Sequence, residues 1–270
     1  MKKSCKVVFI LLVLLFLYAP ILILAFYSFT DASQIGSYRS FSLDNYIRLV
    51  STEELRLMIR GTLLLAVGSA FLSTVFGTLG AIGAYYSKRR ITSLYSSVNQ
   101  IPVINADVVT GFSICILLVV VFGVSKESYI PLIVGHTVLS APFVYLSVVP
   151  KLKQMDTSLY EAALDLGATP RTALIKVILP QIKSGIVSGF MLAITLSLDD
   201  YFVATYTKPA TFDTISTYVV NATKGSHTEI KTALWALSTA IFVIVVLVVL
   251  FMNLRAGKKD AAAVRKEGAA

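Results

Sequence analysis

Three carboxylates sit in stretches otherwise suited to lipid: Asp107 in "IPVINADVVTG" (101–111), and Asp199 with Asp200 in "LSLDDYFVATY" (196–206). An Asp at a bilayer centre costs about 2.5–3.5 kcal/mol on insertion scales, so such residues usually face a bundle interior or a water-filled path. No Lys or Arg within the same stretches is placed to pair with them. The chemistry open to them is non-covalent: a flexible cation crossing a low-dielectric region needs carboxylates, hydroxyls or aromatic faces along its route. Ser184, Ser188, Thr195 and Asp199 recur at close to helical intervals and make one polar stripe. Asp200 points about 100° away on a regular helix, nearer Ser197, so both carboxylates face one path only where the helix bends or unwinds. Otherwise one of the pair marks a helix end or bonds within the bundle. Counted along straight helices, Asp199 lies about 21 Å from Gly185 and Asp107 about 9 Å into its span, two levels that would form successive cation stations. Tyr201 and Tyr206 are candidates for the mouth and equally fit the aromatic enrichment of membrane interfaces.

Other site chemistry is poorly supported. Cys5 lies in a basic tail and Cys115 inside an apolar run, which gives neither a disulfide framework nor a metal site. His136 and His227 stand alone in sequence, without Cys or carboxylate at ligand spacing, and are assigned bland roles. The nearest approach to a phosphate-binding loop, Gly257 to Lys259, lacks both the spacing and the hydroxyl, so ATP is not bound that way by this chain. No nucleophile, base and orienting group assemble into a catalytic set.

The elements that must position these residues are membrane helices. The chain is 56% hydrophobic and 14% charged, with mean hydropathy +0.77, too apolar for an ordinary soluble domain. Crossing about 30 Å of hydrocarbon takes roughly 20 apolar residues. Six segments come close: 7–29, 61–86, 101–123, 129–149, 185–206 and 231–253. The expected fold is therefore all-α and polytopic, one transmembrane domain over 1–270. The first segment follows Lys2, Lys3 and Lys6; its length and the lack of a clean cleavage site favour a retained helix over a signal. The second carries Gly68, Gly77, Gly80 and Gly83, small residues that let helices approach closely.

The net charge of +9 speaks of topology, not nucleic acid, because no basic stripe is interleaved with aromatics. Lys88 to Arg90, the basic residues of 151–183, the N-terminal lysines and the basic residues beyond Asn253 fall on one side. The positive-inside bias then puts both termini in the cytoplasm.

Between the fourth and fifth segments lies "TSLYEAALDLGATPRTALIKVILP" (157–180), within a loop spanning 151–183. Ser158 and Glu161 have capping-box spacing, which predicts a helix from Leu159. Gly167 supplies a left-handed terminator, and Thr169 with Pro170 reads as a cap and first helical residue. A second short helix is expected to run to about Ile178 and to close at Pro180. Helix, glycine turn, helix also fits a DNA-reading motif, but flanking membrane spans argue against it. Leu159, Ala163 and Leu166 can share one face, an apolar strip on a cytosolic element that suits docking.

Glu161, Ala162, Ala163, Gly167, Val177, Leu179 and Pro180 resemble the cytoplasmic EAA signature of ABC-transporter permease subunits, departing only in Val177 for Ile. The similarity extends over nearly the whole chain. It is strongest to the second permease subunit of spermidine and putrescine importers, through "YAPILILAFYSF", "LDNYIRLV", "IPVINADVVTG" and "TLSLDDYFVATY". The resemblance implies a coupling loop, with Glu161, Ala162, Ala163 and Gly167 docking on an ATP-hydrolysing partner. It also implies a second homologous permease subunit, two ATP-binding subunits that carry the ATP and Mg, and an external polyamine-binding protein. Tyr46 falls where the family has an aromatic residue near the receptor-facing mouth. On this reading the chain is no enzyme and holds no cofactor. It is a bacterial inner-membrane permease with a polyamine route through Asp107, Thr195, Ser197, Asp199, Asp200, Tyr201 and Tyr46. The acidic residues disfavour an anion importer. Another organic cation or a metal complex stays open, as does, from a different class, a passive cation channel.

Overall fold

The computed structural model describes residues 3–32, 36–37, 40–156, 158–224, 232–243 and 246. His227, Lys231, nearly all of 244–253 and the basic residues after it lie outside the described residues, as do Lys2 and Arg39. The described chain is almost wholly helical and divides into two compact units, 1–56 with 221–270, and 57–220.

In the first unit, α1 (Lys3–Ser28) is apolar around its circumference and largely exposed, as expected of a helix whose solvent is lipid. Its far end is pinned by α2 (Asp44–Ser51): the buried Asn45 amide donates to the carbonyls of Ser28 and Thr30 at 3.1 and 3.0 Å. Tyr18–Phe242 and Tyr27–Trp235 ring contacts join α1 to an apolar helix at Thr232–Val243.

The second unit contains most of α3 (Glu53–Tyr85), then α4 (Arg89–Ile104), α5 (Asp107–Cys115) and α6 (Ile130–Gln154). The short α7 (Ser158–Asp165) and α8 (Pro170–Ala173) lead into α9 (Leu179–Asp199), α10 (Phe202–Thr207) and the start of α11 (Ile215–Lys224). Its core forms where α6 runs along α9 and α3. A Cβ added at Gly77 of α3 would lie 2.7 Å from Val144 Cβ, and one at Gly189 of α9 would lie 3.1 Å from Val144 Cα. Small residues here buy backbone approach in the absence of a hydrophobic drive between helices. Gly68 and Gly83 contact nothing at that range.

Four described helices are long and apolar enough to cross a membrane: Val7–Ser28, Glu53–Tyr85, Ile130–Gln154 and Pro170–Asp199. The expected third span, 101–123, is not one rod. Arg89–Ile104 and Asp107–Val121 meet at 105°, because Asn105 and Ala106 are extended (ψ 150° and 136°). Nor does Pro180 end a helix. Leu174–Ile178 forms a wider π turn in which Leu179 N–H donates to Leu174 O. That turn makes room for a proline that can neither donate to nor pack under the carbonyl four residues back, so the helix runs on to Asp199.

Candidate functional site

The fifth apolar stretch breaks where its two carboxylates stand. Asp199 ends α9 and Asp200 leaves the helix with ψ 126°. Asp200 is 8% exposed. Its carboxylate accepts hydrogen bonds from Val203 N–H (3.1 Å) and Ala204 N–H (2.7 Å), the unpaired amides that begin α10. A buried carboxylate is tolerable when donors of this kind replace its water. Asp199, by contrast, is exposed, and Ser184, Ser188 and Thr195 are exposed with it, so the predicted stripe runs along one open face.

Asp107 is exposed at the start of α5, a helix with no side-chain cap bond. It lies within electrostatic reach of Asp200, as does Asp199. The reason is packing: a Cβ at Gly111 of α5 would stand 2.8 Å from Val203 Cα, and one at Gly135 of α6 would stand 2.8 Å from Val203 Cγ1. α10 is thus gripped between α5 and α6. The three carboxylates form one cluster instead of the two levels expected from straight helices, since the bend at Asn105–Ala106 carries Asp107 to the α10 break.

Ser197 is buried, facing away from the open stripe. Its hydroxyl meets His136 Nδ1 at 2.8 Å and receives Ser69 Oγ–H at 3.2 Å. His136 is fully buried, with Nε2 3.6 Å from Asp200 Oδ2. Sequence reasoning gave His136 no part here because its partners are 61 residues or more away; the available signal was a titratable ring in mid-span, which by itself marks a candidate functional position. Tyr201 is half-buried against Phe202, and Tyr206 packs edge-on to Phe112. Tyr46 belongs to the first unit, its hydroxyl 2.9 Å from Ser28 Oγ and its ring against Phe29. Among the described residues no group of three His, Cys, Asp or Glu could hold a metal ion.

On the 151–183 loop, Asp156 and not Ser158 supplies the acceptor at the start of α7: Ser158 N–H donates to its Oδ1 at 3.0 Å. This pairing holds the Asp156 carboxyl below its ordinary range, with the Ser158 hydroxyl and amide both contributing. Gly167, at φ +84°, ends the helix, where Ala168 N–H returns to Ala163 O and Gly167 N–H to Leu164 O. Thr169 caps α8 by accepting from Thr172 N–H, with Pro170 in the first turn. Glu161, Ala162 and Gly167 are exposed, Ala163 is partly covered, and Leu166 is 89% exposed. An apolar side chain held out this far on a stable turn is unpartnered among the described residues.

Residues 2–257 match the family described as binding-protein-dependent transport system inner membrane component. The chain belongs to that family. This permease is accordingly an inner-membrane subunit of an ABC importer, and ATP hydrolysis takes place in a partner subunit. It is 28% identical over 246 residues to the Escherichia coli K12 putrescine transport system permease protein PotI, covering 89% of this chain and 86% of that one. It is 30% identical over 252 residues to the Haemophilus influenzae spermidine/putrescine transport system permease protein PotC, covering 93% and 96%. Among solved structures, a bacterial ABC transporter importing the acidic polysaccharide alginate superposes with TM-score 0.71 at 20% identity, covering 93% of this permease and 94% of that chain. A second structure of an alginate transporter, in complex with its oligosaccharide-bound periplasmic protein, gives 0.68 at 20% identity, with 93% and 91% covered. The shared architecture therefore accompanies cargo of quite different charge, and substrate must be argued from side chains.

Proposed function

We propose that this permease passes polyamines of the spermidine and putrescine class into the cytoplasm. It would do so beside a second homologous permease subunit, driven by two ATP-binding subunits that hold ATP and Mg and fed by an external polyamine-binding protein. The observation that carries the reading is the exposed stripe of α9 ending in Asp199, with exposed Asp107 beside it. Carboxylates and hydroxyls on an open helix face are costly against lipid, so they belong against a wet path or a partner. Two such carboxylates near one break suit a cargo with more than one ammonium group. Asp107, Thr195 and Asp199 are the contacts, with Tyr201 and Tyr46 as aromatic candidates nearer a mouth. Ser197 and Asp200 support them from behind. The names of the polyamine-transport relatives agree with this substrate class.

Coupling is assigned to 151–183. Glu161, Ala162, Ala163 and Gly167 present α7 and its turn to an ATP-binding subunit, and closure of that subunit on ATP moves the loop and opens the outer face. Both termini lie in the cytoplasm. Asp199→Asn and Asp107→Asn, assayed for labelled putrescine uptake in the assembled transporter, are each expected to raise KM about tenfold while assembly and basal ATPase stay unchanged, the equivalent of about 1.4 kcal/mol. Wild-type KM in both would remove the carboxylates from the route.

A further inference from the structure

The buried imidazole of His136 is unexplained by a route made of exposed carboxylates. It projects from the second turn of α6 and touches the α9–α10 break at two points. Nδ1 meets Ser197 Oγ at 2.8 Å, one turn before the break, and Nε2 stands 3.6 Å from Asp200 Oδ2 at the break itself. The second contact is too long for a hydrogen bond. Ser69 Oγ–H reaches both Ala66 O at 3.3 Å and Ser197 Oγ at 3.2 Å; when it donates to Ser197, Ser197 donates to Nδ1 and the ring hydrogen sits on Nε2, facing the carboxylate. The charged groups around this ring are Asp200, with Asp107 and Asp199 in electrostatic reach of that carboxylate.

Ser197 and Asp199 are two residues apart, about 200° around a helix. Holding Ser197 against α6 therefore holds Asp199 on the opposite, open face. We infer that His136 is a positioning residue for cation uptake: through Ser197 it sets the rotation of the last turn of α9, and beside Asp200 it fixes the break, so that Asp199 points outward without His136 ever touching the cargo. This rests on the reading of Asp199 as a cation contact.

The test uses the complete transporter, with its permease partner, ATP-binding subunits and binding protein, in proteoliposomes with labelled putrescine. His136→Leu, which keeps bulk and loses both contacts, is expected to raise KM about fivefold, with maximal rate and assembly retained. His136→Asn, whose amide oxygen can still accept from Ser197, is expected to restore KM to within about twofold of wild type. Ser197→Ala severs the same bond with little change of volume and serves should His136→Leu not assemble; it is expected to match the Leu variant. A wild-type KM in His136→Leu and Ser197→Ala, with Asp199→Asn still impaired, overturns the positioning role alone. Equal impairment of the Asn and Leu variants also overturns it, since an acceptor for Ser197 would then not be what the ring supplies. A wild-type KM in Asp199→Asn instead sinks the route, and this inference with it.

Discussion

Two interrupted helices lie against each other in the second unit, and each restarts at an aspartate. At the α4–α5 break, Asn105 and Ala106 are extended and Asp107 opens α5 with its carboxylate exposed. At the α9–α10 break, Asp200 is buried and both carboxylate oxygens are taken by the amides of α10. The same residue type at the same kind of backbone break thus does opposite work. One carboxylate is consumed in holding a helix start, and the other is left exposed. The difference is set by what packs over each, because α5 and α6 close around α10 through glycines while Asp107 stays exposed among the described residues.

The largest effect should come from breaking that closure. Gly111→Ala pushes a methyl against Val203 Cα, which cannot be trimmed away, whereas Gly135→Ala pushes one against Val203 Cγ1, which can. Each substitution is expected to cost about 1–3 kcal/mol of stability. Adding Val203→Ala should recover part of the loss for Gly135→Ala and none for Gly111→Ala, as read from thermal unfolding of the assembled transporter in detergent. Equal recovery in both would mean that α10 is not gripped by backbone on the α5 side.

The aspartates themselves should separate next. Asp200→Asn leaves one oxygen to serve two amides and is expected to lose about 1–2 kcal/mol. Asp107→Asn should change stability by less than about 0.5 kcal/mol and act on cation uptake instead. Matching unfolding midpoints for the two variants would erase the distinction.

A third aspartate, outside the membrane, gives the smallest effect and a control. Asp156 also accepts from the start of a helix, but in open solvent, and its folded-state pKa lies below the usual carboxylate value. The protection it gives α7 is therefore present above about pH 3.8 and disappears as pH falls through the lower, folded value. Hydrogen exchange at 158–165, compared between wild type and Asp156→Asn, is expected to differ slightly at neutral pH and to converge in acid. A difference that persists once the carboxylate is fully protonated would rule it out as the source.

Much of this was legible in the sequence because the bilayer leaves few choices. Long apolar runs had to be helices that satisfy their own backbones, and in-span aspartates had to be placed deliberately. The glycine at 167 and the Thr169–Pro170 pair announced their turn and cap from local backbone chemistry alone. The stripe from Ser184 to Asp199 followed from helical periodicity. Pro180 was misleading since a π turn upstream absorbed it, and Asp107 was misplaced because distance along a straight helix assumes no bend. His136 was passed over since Ser69, Ser197 and Asp200 are distant in the chain.

The order of residues by itself determined that this is a helical membrane permease with an exposed loop between two of its long helices: composition, periodicity and a short contiguous signature carry that information, and all are local. Only the tertiary structure decided which of the three carboxylates is buried and which two are exposed. Burial and hydrogen-bond partners are properties of what other segments bring alongside, and no spacing along one helix records them.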